Sequence, residues 1–307
     1  MKRLSLRVAA ADEGERLDRF IAARGGISRG LARRALDVGG VFLDGRRCKV
    51  AGRIVRAGQA VVVNLEEAGR AAGAPAALDR GQLLYADEHL VAVDKPPFVP
   101  AQPTLTTDRG ALPELVGALL GAPVTLVHRL DRETSGVTVL ARTRAAAAAL
   151  SEAFRAGGPE KTYLALAARA PTPAEGRLDA PLGPDPSRPG RRTVVEGGEA
   201  SATRYTTLRV GAAGVALVEC RPETGRTHQI RAHLAHLGAP LLGDPRYGGP
   251  RRVLETSVPR VMLHARRLEL AHPATGAPLA LEAPVPEDFL MVLRALAPAA
   301  AGERETP

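Results

Sequence analysis

Between Val127 and Thr143 the sequence VHRLDRETSGVTVLART places one histidine, two arginines and two carboxylates in its first seven positions. Asp131 stands between Arg129 and Arg132. Such a carboxylate can act without an activating base, because an aspartate in water is ionised at neutral pH. Burial favours the neutral acid, whereas a guanidinium partner favours the anion and can grip it through two hydrogen bonds. The same residues would also make a purely structural Arg–Asp pair at the mouth of a strand, and this segment taken alone favours that plainer reading.

A second polar concentration runs from Glu219 to Gly249, ECRPETGRTHQIRAHLAHLGAPLLGDPRYGG, and brings Arg231 as a distant partner for Asp131. His228, His233 and His236 invite a metal reading. Positions 228 and 233 diverge on a helix, however, and no cysteine or glutamate completes a ligand set, so no metal is expected. Ser135 lacks the Gly-x-Ser-x-Gly frame of a hydrolase nucleophile. No phosphate loop or dinucleotide fingerprint is present. Cys48 and Cys220 lie far apart and are expected as reduced packing residues.

The elements that must hold these residues follow from periodicity. After its polar start the central stretch turns apolar. Val137, Val139 and Ala141 share one face and Leu140 opens the other, which predicts a buried strand entered through a turn at 134–136. Hairpins are expected from Leu83–Tyr85 with Leu90–Val93, and from Thr203–Val210 with Val215–Cys220. Lys161–Leu166 reads as a strand, and Val261–Leu270 and Leu279–Leu281 as closing strands. Helices are expected near Pro113–Leu120, over Arg144–Arg155, and from about Thr227 to Leu237, where His228 and Arg231 would share a face. Residues 171–200, rich in Pro, Gly and Arg, read as an irregular excursion, and 298–307 as a disordered tail.

The charge is uneven. The net +9 comes almost wholly from residues 1–64, which hold 14 Lys/Arg against 6 Asp/Glu. Within them, helices are expected over 14–26 and from Arg29 to Val38, the second capped by Ser28, followed by a hairpin at VFLDGRRCKV and a strand at Val61–Val63. Arg29, Arg33 and Arg34 then share an outer surface with Arg19 nearby. A basic module beside a near-neutral one suggests a polyanion partner. Residues 65–80 are expected as a linker. No run of about 18 apolar residues and no signal segment occur, so a soluble, cytoplasmic protein is expected, by default a monomer with no evident protein partner.

The motifs carry a resemblance. Arg16-Leu17-Asp18, Ser28-Arg29, Gly40-Val41, Asp44-Gly45 and Gly58 before the Val61–Val63 strand resemble the S-four RNA-binding domain. HRLDRETSGVTVLART strongly resembles the central motif of the RluA-type pseudouridine synthases. LYADEHLVAVDKP, KTYLALA and PETGRTHQIRAHLAHLGAPLLGDPRYGG match the same family in order and spacing over about residues 82–284. Ala101-Gln102-Pro103, where many relatives carry a histidine before the proline, and Asp94, in place of the commoner asparagine, depart from the pattern.

The resemblance implies an α/β (α+β) chain in which a mixed, largely antiparallel sheet forms the catalytic domain, at 81–297, behind a small α-β RNA-binding domain. It implies isomerisation of uridine to pseudouridine in structured RNA, with large-subunit ribosomal RNA the first expected substrate and transfer RNA the second, and no cofactor. Asp131 would be the catalytic aspartate and Arg231 the ion pair that keeps it charged and aimed. Tyr163 would stack on the target uracil and assist removal of its ring proton. Arg129 would enter the space left by the flipped nucleotide, and His128 and Thr134 would brace the loop. Arg29, Arg33, Arg34 and Arg19 would meet phosphates. The alternatives are a non-catalytic RNA-binding or ribosome-assembly factor with the same fold, and a carboxylate-dependent N-glycoside hydrolase.

Overall fold

The computed structural model describes residues 2–37, 40–65, 77–102, 110–188 and 190–297. The chain divides into two compact units, Met1–Gly73 with Gln102–Ala111, and Ala74–Ala101 with Leu112–Pro307. Val38, Pro103, residues 66–76 of the expected linker and the expected tail from 298 lie outside the described residues, as does the side chain of Arg34. Among the described residues no helix is long and apolar enough to cross a membrane.

The first unit runs β1 (Lys2–Arg7), α1 (Leu17–Gly25), α2 (Arg29–Asp37), β2 (Val41–Leu43), β3 (Arg46–Arg47) and β4 (Ala60–Leu65). Leu17, Phe20 and Ile21 of α1 are fully buried, as their helical spacing requires. Gly26 closes α1 in the left-handed region, and the Ser28 hydroxyl caps α2 by accepting from the Leu31 N–H (3.1 Å). Asp44 and Gly45 both take positive φ, which lets a two-residue turn join β2 to β3. Val61 and Val63 of β4 face the helices and complete the core.

The second unit contains β5 (Leu83–Ala86), β6 (Leu90–Lys95), α3 (Leu112–Leu120), β7 (Thr125–Leu126), β8 (Ser135–Ala141), α4 (Arg144–Ala156), β9 (Glu160–Ala167), β10 (Glu175–Asp179), β11 (Leu182–Pro184), β12 (Arg192–Val194), β13 (Ala202–Val210) and β14 (Ala216–Pro222). It continues with α5 (Gln229–His236), β15 (Arg252–Val253), β16 (Thr256–Ser257), β17 (Leu263–Ala271), β18 (Pro278–Glu282) and α6 (Glu287–Ala295). One sheet is ordered β10-β13-β14-β9-β17-β8-β6-β5, with β18 added beside β17 and β7 beside β8. Every pairing in it is antiparallel except β17 with β8, so the mixed, largely antiparallel sheet is present.

All seven residues of β8 are buried. Val137, Val139 and Ala141 join one apolar cluster and Leu140 another, so the two faces of the strand serve separate cores. Cys48 and Cys220 are free and buried.

Three expectations need correction. The turn before β8 is not at 134–136; it closes earlier, where the Asp131 carbonyl accepts from the Thr134 N–H (3.1 Å), and Ser135 and Gly136 already belong to the strand. Gly136 is required there by a close approach at the parallel junction, because a Cβ would collide with the Ala265 carbonyl. Residues 171–200 are not irregular throughout: β10 forms the edge of the main sheet against β13, and β11 pairs with β12. Tertiary pairing overrides a Gly- and Arg-rich composition. Finally, α5 begins at Gln229. His228 is its N-cap at φ 58°, outside the helix rather than on a face shared with Arg231.

Candidate active site

The loop from His128 to Thr134 is pinned almost residue by residue. The His128 Nε2 accepts the Val139 N–H (2.9 Å), and its ring stacks on Phe154 (4.3 Å). Burial holds this imidazole down at about 3, so it is neutral and fit to accept. Leu130 is buried. The Arg132 carbonyl accepts from Lys95 Nζ (3.3 Å), which also reaches the carbonyls of Pro96 and Val99 (3.0 Å each). The Glu133 carbonyl accepts from Arg260 Nη1 (3.2 Å), and the Glu133 carboxylate accepts from the Val261 N–H (3.2 Å). Lys95 and Arg260 are both fully buried, so two desolvated basic side chains fasten consecutive carbonyls just beyond Asp131. Burial pushes Lys95 down to about 7. Asp288 holds Arg260 in place through two hydrogen bonds (2.6 and 2.9 Å).

On this loop the Asp131 carboxylate meets Arg231 of α5, one hundred residues away: Nη1 donates to Oδ2 at 2.8 Å. Neither Arg129 nor Arg132, its sequence neighbours, pairs with it; both are exposed. Arg231 is itself clamped from behind. Its Nε and Nη2 donate to the two oxygens of buried Asp244 (2.6 and 2.9 Å), and its guanidinium carbon lies 5.2 Å from the centre of the Tyr247 ring. The two carboxylates raise the guanidinium above its ordinary range against the opposing effect of burial. One arginine thus joins a fully buried acid to an acid that reaches the cleft.

Asp244 is placed by the Gly-Asp-Pro-Arg-Tyr-Gly-Gly turn. Gly243 takes φ 73° where a Cβ would strike the Arg260 carbonyl, and the Asp244 carbonyl accepts from Gly249 (2.8 Å) and Tyr247 (3.1 Å). Asp244 does not stand out in the sequence by itself; its usable signal is a carboxylate set between glycines in a segment dense in polar residues. His228, weighed in the sequence as a metal ligand and as sharing a helix face with Arg231, enters the site in a different way. Its left-handed backbone turns the ring toward Asp131, Nε2 to Oδ2 at 3.8 Å, while Nδ1 meets the Tyr247 hydroxyl (3.1 Å). That hydroxyl also accepts the Arg192 N–H (3.0 Å) and can donate its own proton to Nδ1, an arrangement that would leave Nε2–H facing Asp131.

Asp131 and Arg231 line a cleft of ≈ 600 Å³ shared with Tyr163, Arg129, Lys161 and His228. That volume falls in the range that takes small ligands. The Tyr163 phenol is pushed up, first by burial and then by the charge of Asp131, and stays protonated at neutral pH. Thr134 lines the same cleft with its hydroxyl buried and unbonded, so the bracing expected of it comes from its backbone N–H instead. Of the three histidines weighed as metal ligands, His233 is taken up by Thr203 (2.8 Å) and the Ala180 carbonyl (3.0 Å), away from His228 and its partner Tyr247.

The basic residues of the first unit form a different assembly. Asp18 is fully buried and accepts from the Nε atoms of Arg16 (3.1 Å), Arg29 (3.0 Å) and Arg33 (2.7 Å). These three arginines, two of them expected at phosphates, are therefore already oriented by one internal anion and remain roughly half exposed. Together they hold Asp18 well below the usual carboxylate range against the opposing effect of burial. The Arg19 side chain, by contrast, is exposed and makes no such pair.

Comparison with known proteins agrees with this geometry. Residues 89–236 match the model of the RNA pseudouridylate synthase family, and residues 15–61 match the S4 domain. The "Ribosomal large subunit pseudouridine synthase D" of Xanthomonas campestris is 40% identical over 70% of this chain and 69% of its own length. The "Dual-specificity RNA pseudouridine synthase RluA" of Escherichia coli is 38% identical over 66% of this chain and 92% of its own. Among solved structures, "Human RNA Pseudouridylate Synthase Domain Containing 4" superposes with a TM-score of 0.57 at 30% identity, covering 70% of this chain and 93% of that one. With a fold, a carboxylate cleft and relatives that agree, this chain belongs to the RNA pseudouridine synthases of the RluA type, with an S4 domain toward its N-terminus.

Proposed function

We propose that this pseudouridine synthase acts on uridines of large-subunit ribosomal RNA, with transfer RNA the second candidate, and that Asp131 is its catalytic carboxylate. The observation that carries the assignment is Asp131 held at 2.8 Å by an arginine that a buried acid immobilises, at the wall of a cleft it shares with Tyr163. Such a carboxylate keeps its aim as solvent is displaced, which is the preorganisation a reacting centre needs. The names of relatives such as the Xanthomonas protein support the ribosomal substrate.

A stacked uridine cannot present its glycosidic bond to Asp131, so it leaves the helix at a cost of a few kcal/mol. Arg129, exposed and without a protein partner among the described residues, is placed to fill the gap. At Asp131 the bond between N1 and C1′ breaks, the uracil turns within the cleft, and C5 bonds to C1′. C5 loses a proton and N1 gains one, so atoms and electrons balance without a redox partner. The protonated phenol of Tyr163 favours stacking on the base over a role as the proton acceptor. Arg19, Arg29, Arg33 and Arg34 of the S4 region meet phosphates, which adds affinity without reading sequence. We assign residues 1–64 to RNA gripping, 65–80 to a linker and 81–297 to catalysis, in a cytoplasmic monomer.

The test incubates unmodified ribosomal RNA with the protein and maps pseudouridine. Wild type should convert one or a few uridines, and Asp131→Ala should convert none while binding RNA within about threefold of wild type, since its change removes no phosphate contact. Release of free uracil would identify a hydrolase, unchanged nucleotides a binder, and normal conversion by Asp131→Ala would remove the assignment.

A further inference from the structure

The charges around the cleft are nearly all matched within the protein. Asp131 is paired with Arg231, Glu223 with Arg177 and Arg204, Arg226 with Glu199, and Arg155 with Glu152. Two lining cations are left, Arg129 and Lys161, whose side chains make no hydrogen bond or ion pair among the described residues. Arg129 is exposed and solvated. Lys161 is half-buried on β9, and burial alone pushes its ammonium down. A cation that is partly desolvated with no counter-charge is costly, and it marks a place where something else supplies the anion.

The position of Lys161 narrows what that is. It precedes Tyr163 by two residues, so both lie on one face of β9, about 7 Å apart along the strand. The charge of Lys161 bears on the ring of His128, which stacks on Phe154. Asp131, in the same cleft, is already paired with Arg231 at 2.8 Å, which leaves Lys161 for another anion. Base carbonyls are neutral dipoles, whereas each phosphodiester carries a full negative charge. Building on the proposed RNA substrate, we propose that Lys161 binds a phosphodiester oxygen beside the target uridine, holding its backbone at the His128–Phe154 wall while Asp131 works on the sugar.

The test uses the full chain and an unmodified large-subunit ribosomal RNA transcript, measuring equilibrium binding between 50 and 200 mM KCl, as roughly the range over which phosphate contacts are resolved. Lys161→Met should weaken binding about tenfold, near the low end for a hydrogen bond to a charged group, and should flatten the plot of log affinity against log salt by about 0.7 to 0.9, the contribution of one phosphate. Lys161→Arg should keep the wild-type slope. In turnover, KM should rise with kcat within about threefold, as expected for loss of uniform binding. An unchanged slope in Lys161→Met, or a loss confined to kcat, would overturn the proposal. Should Lys161→Met melt early, wild-type protein is titrated with a stem–loop around the mapped uridine that carries single neutral methylphosphonates. One flanking substitution should reproduce the slope change, and none doing so would overturn the proposal as well. Because binding is read without turnover, a wild type that binds but makes no pseudouridine would refute the assigned activity while the slope still judges Lys161.

Discussion

Asp244→Asn isolates the part of the site that never touches substrate. The asparagine keeps the shape of a fully buried side chain but replaces one of two oxygens, now 2.6 and 2.9 Å from Arg231, with an amide that faces guanidinium protons. Removing one partner of a buried ion pair costs about 3–5 kcal/mol. Two charge-assisted hydrogen bonds at roughly 1.5–3 kcal/mol each total about 3–6 kcal/mol, an upper bound because the asparagine keeps one acceptor oxygen. For a unit of this size, a cost of about 3–5 kcal/mol corresponds to a fall in Tm of about 6–20 °C. The catalytic loss has a separate origin: Arg231 keeps its bond to Asp131 but loses its rigid backing, so the carboxylate is no longer held to one direction. We expect kcat to fall at least about a hundredfold, equivalent to ~2.7 kcal/mol, with KM for RNA within about threefold. Arg231→Lys, which cannot bridge two acids in a plane, should match it, and the double variant should be no worse than either alone. The assay is single-turnover pseudouridine formation beside a thermal melt, at a temperature where all variants are folded. Wild-type kcat in a destabilised Asp244→Asn would show that Asp244 serves the fold alone and refute the reasoning.

Two further outcomes follow from the buried charges. His264 is fully buried against the Ser135 hydroxyl (3.0 Å), and burial holds it down at about 4, below its unfolded value of about 6.5. Its contribution to stability is therefore complete above pH 6.5 and declines by about 1.4 kcal/mol per unit as pH falls toward 4; urea midpoints of wild type and His264→Gln across that window should differ in slope, and parallel curves would contradict it. In the S4 region, Arg33→Ala removes the shortest bond to buried Asp18 and should lower both stability, by about 1–2 kcal/mol after allowing for its half exposure, and the salt slope of RNA binding, whereas Arg19→Ala should lower only the slope. Equal melting curves for Arg33→Ala and Arg19→Ala would show that Asp18 does not depend on Arg33.

Much of this protein was legible without coordinates, because it depends on spacing within one element. The alternation through Val137, Leu140 and Ala141 specified a buried strand, and Leu17, Phe20 and Ile21 specified the inner face of a helix. Asp44-Gly45 specified a turn. The motifs from Leu84 to Gly249 specified the family. What escaped was the part set by pairing between distant segments. β10 is a strand only because β13 offers it an edge, and Gly136 is needed only because β17 passes within collision distance of it. Spacing alone offered Asp131 two adjacent arginines, yet both face solvent; Arg231, a hundred residues on, was expected as the partner through its availability in a second polar segment and the family resemblance, not through spacing. Likewise Asp18, noted in the sequence only as part of the Arg16-Leu17-Asp18 motif, became the buried centre that aims three arginines. Local sequence sets which backbone states and which inward faces are cheap. Which charges meet, and which are stripped of water when they do, is decided only when the sheet closes, since the Coulomb energy and the desolvation that opposes it both depend on where the finished fold leaves each group.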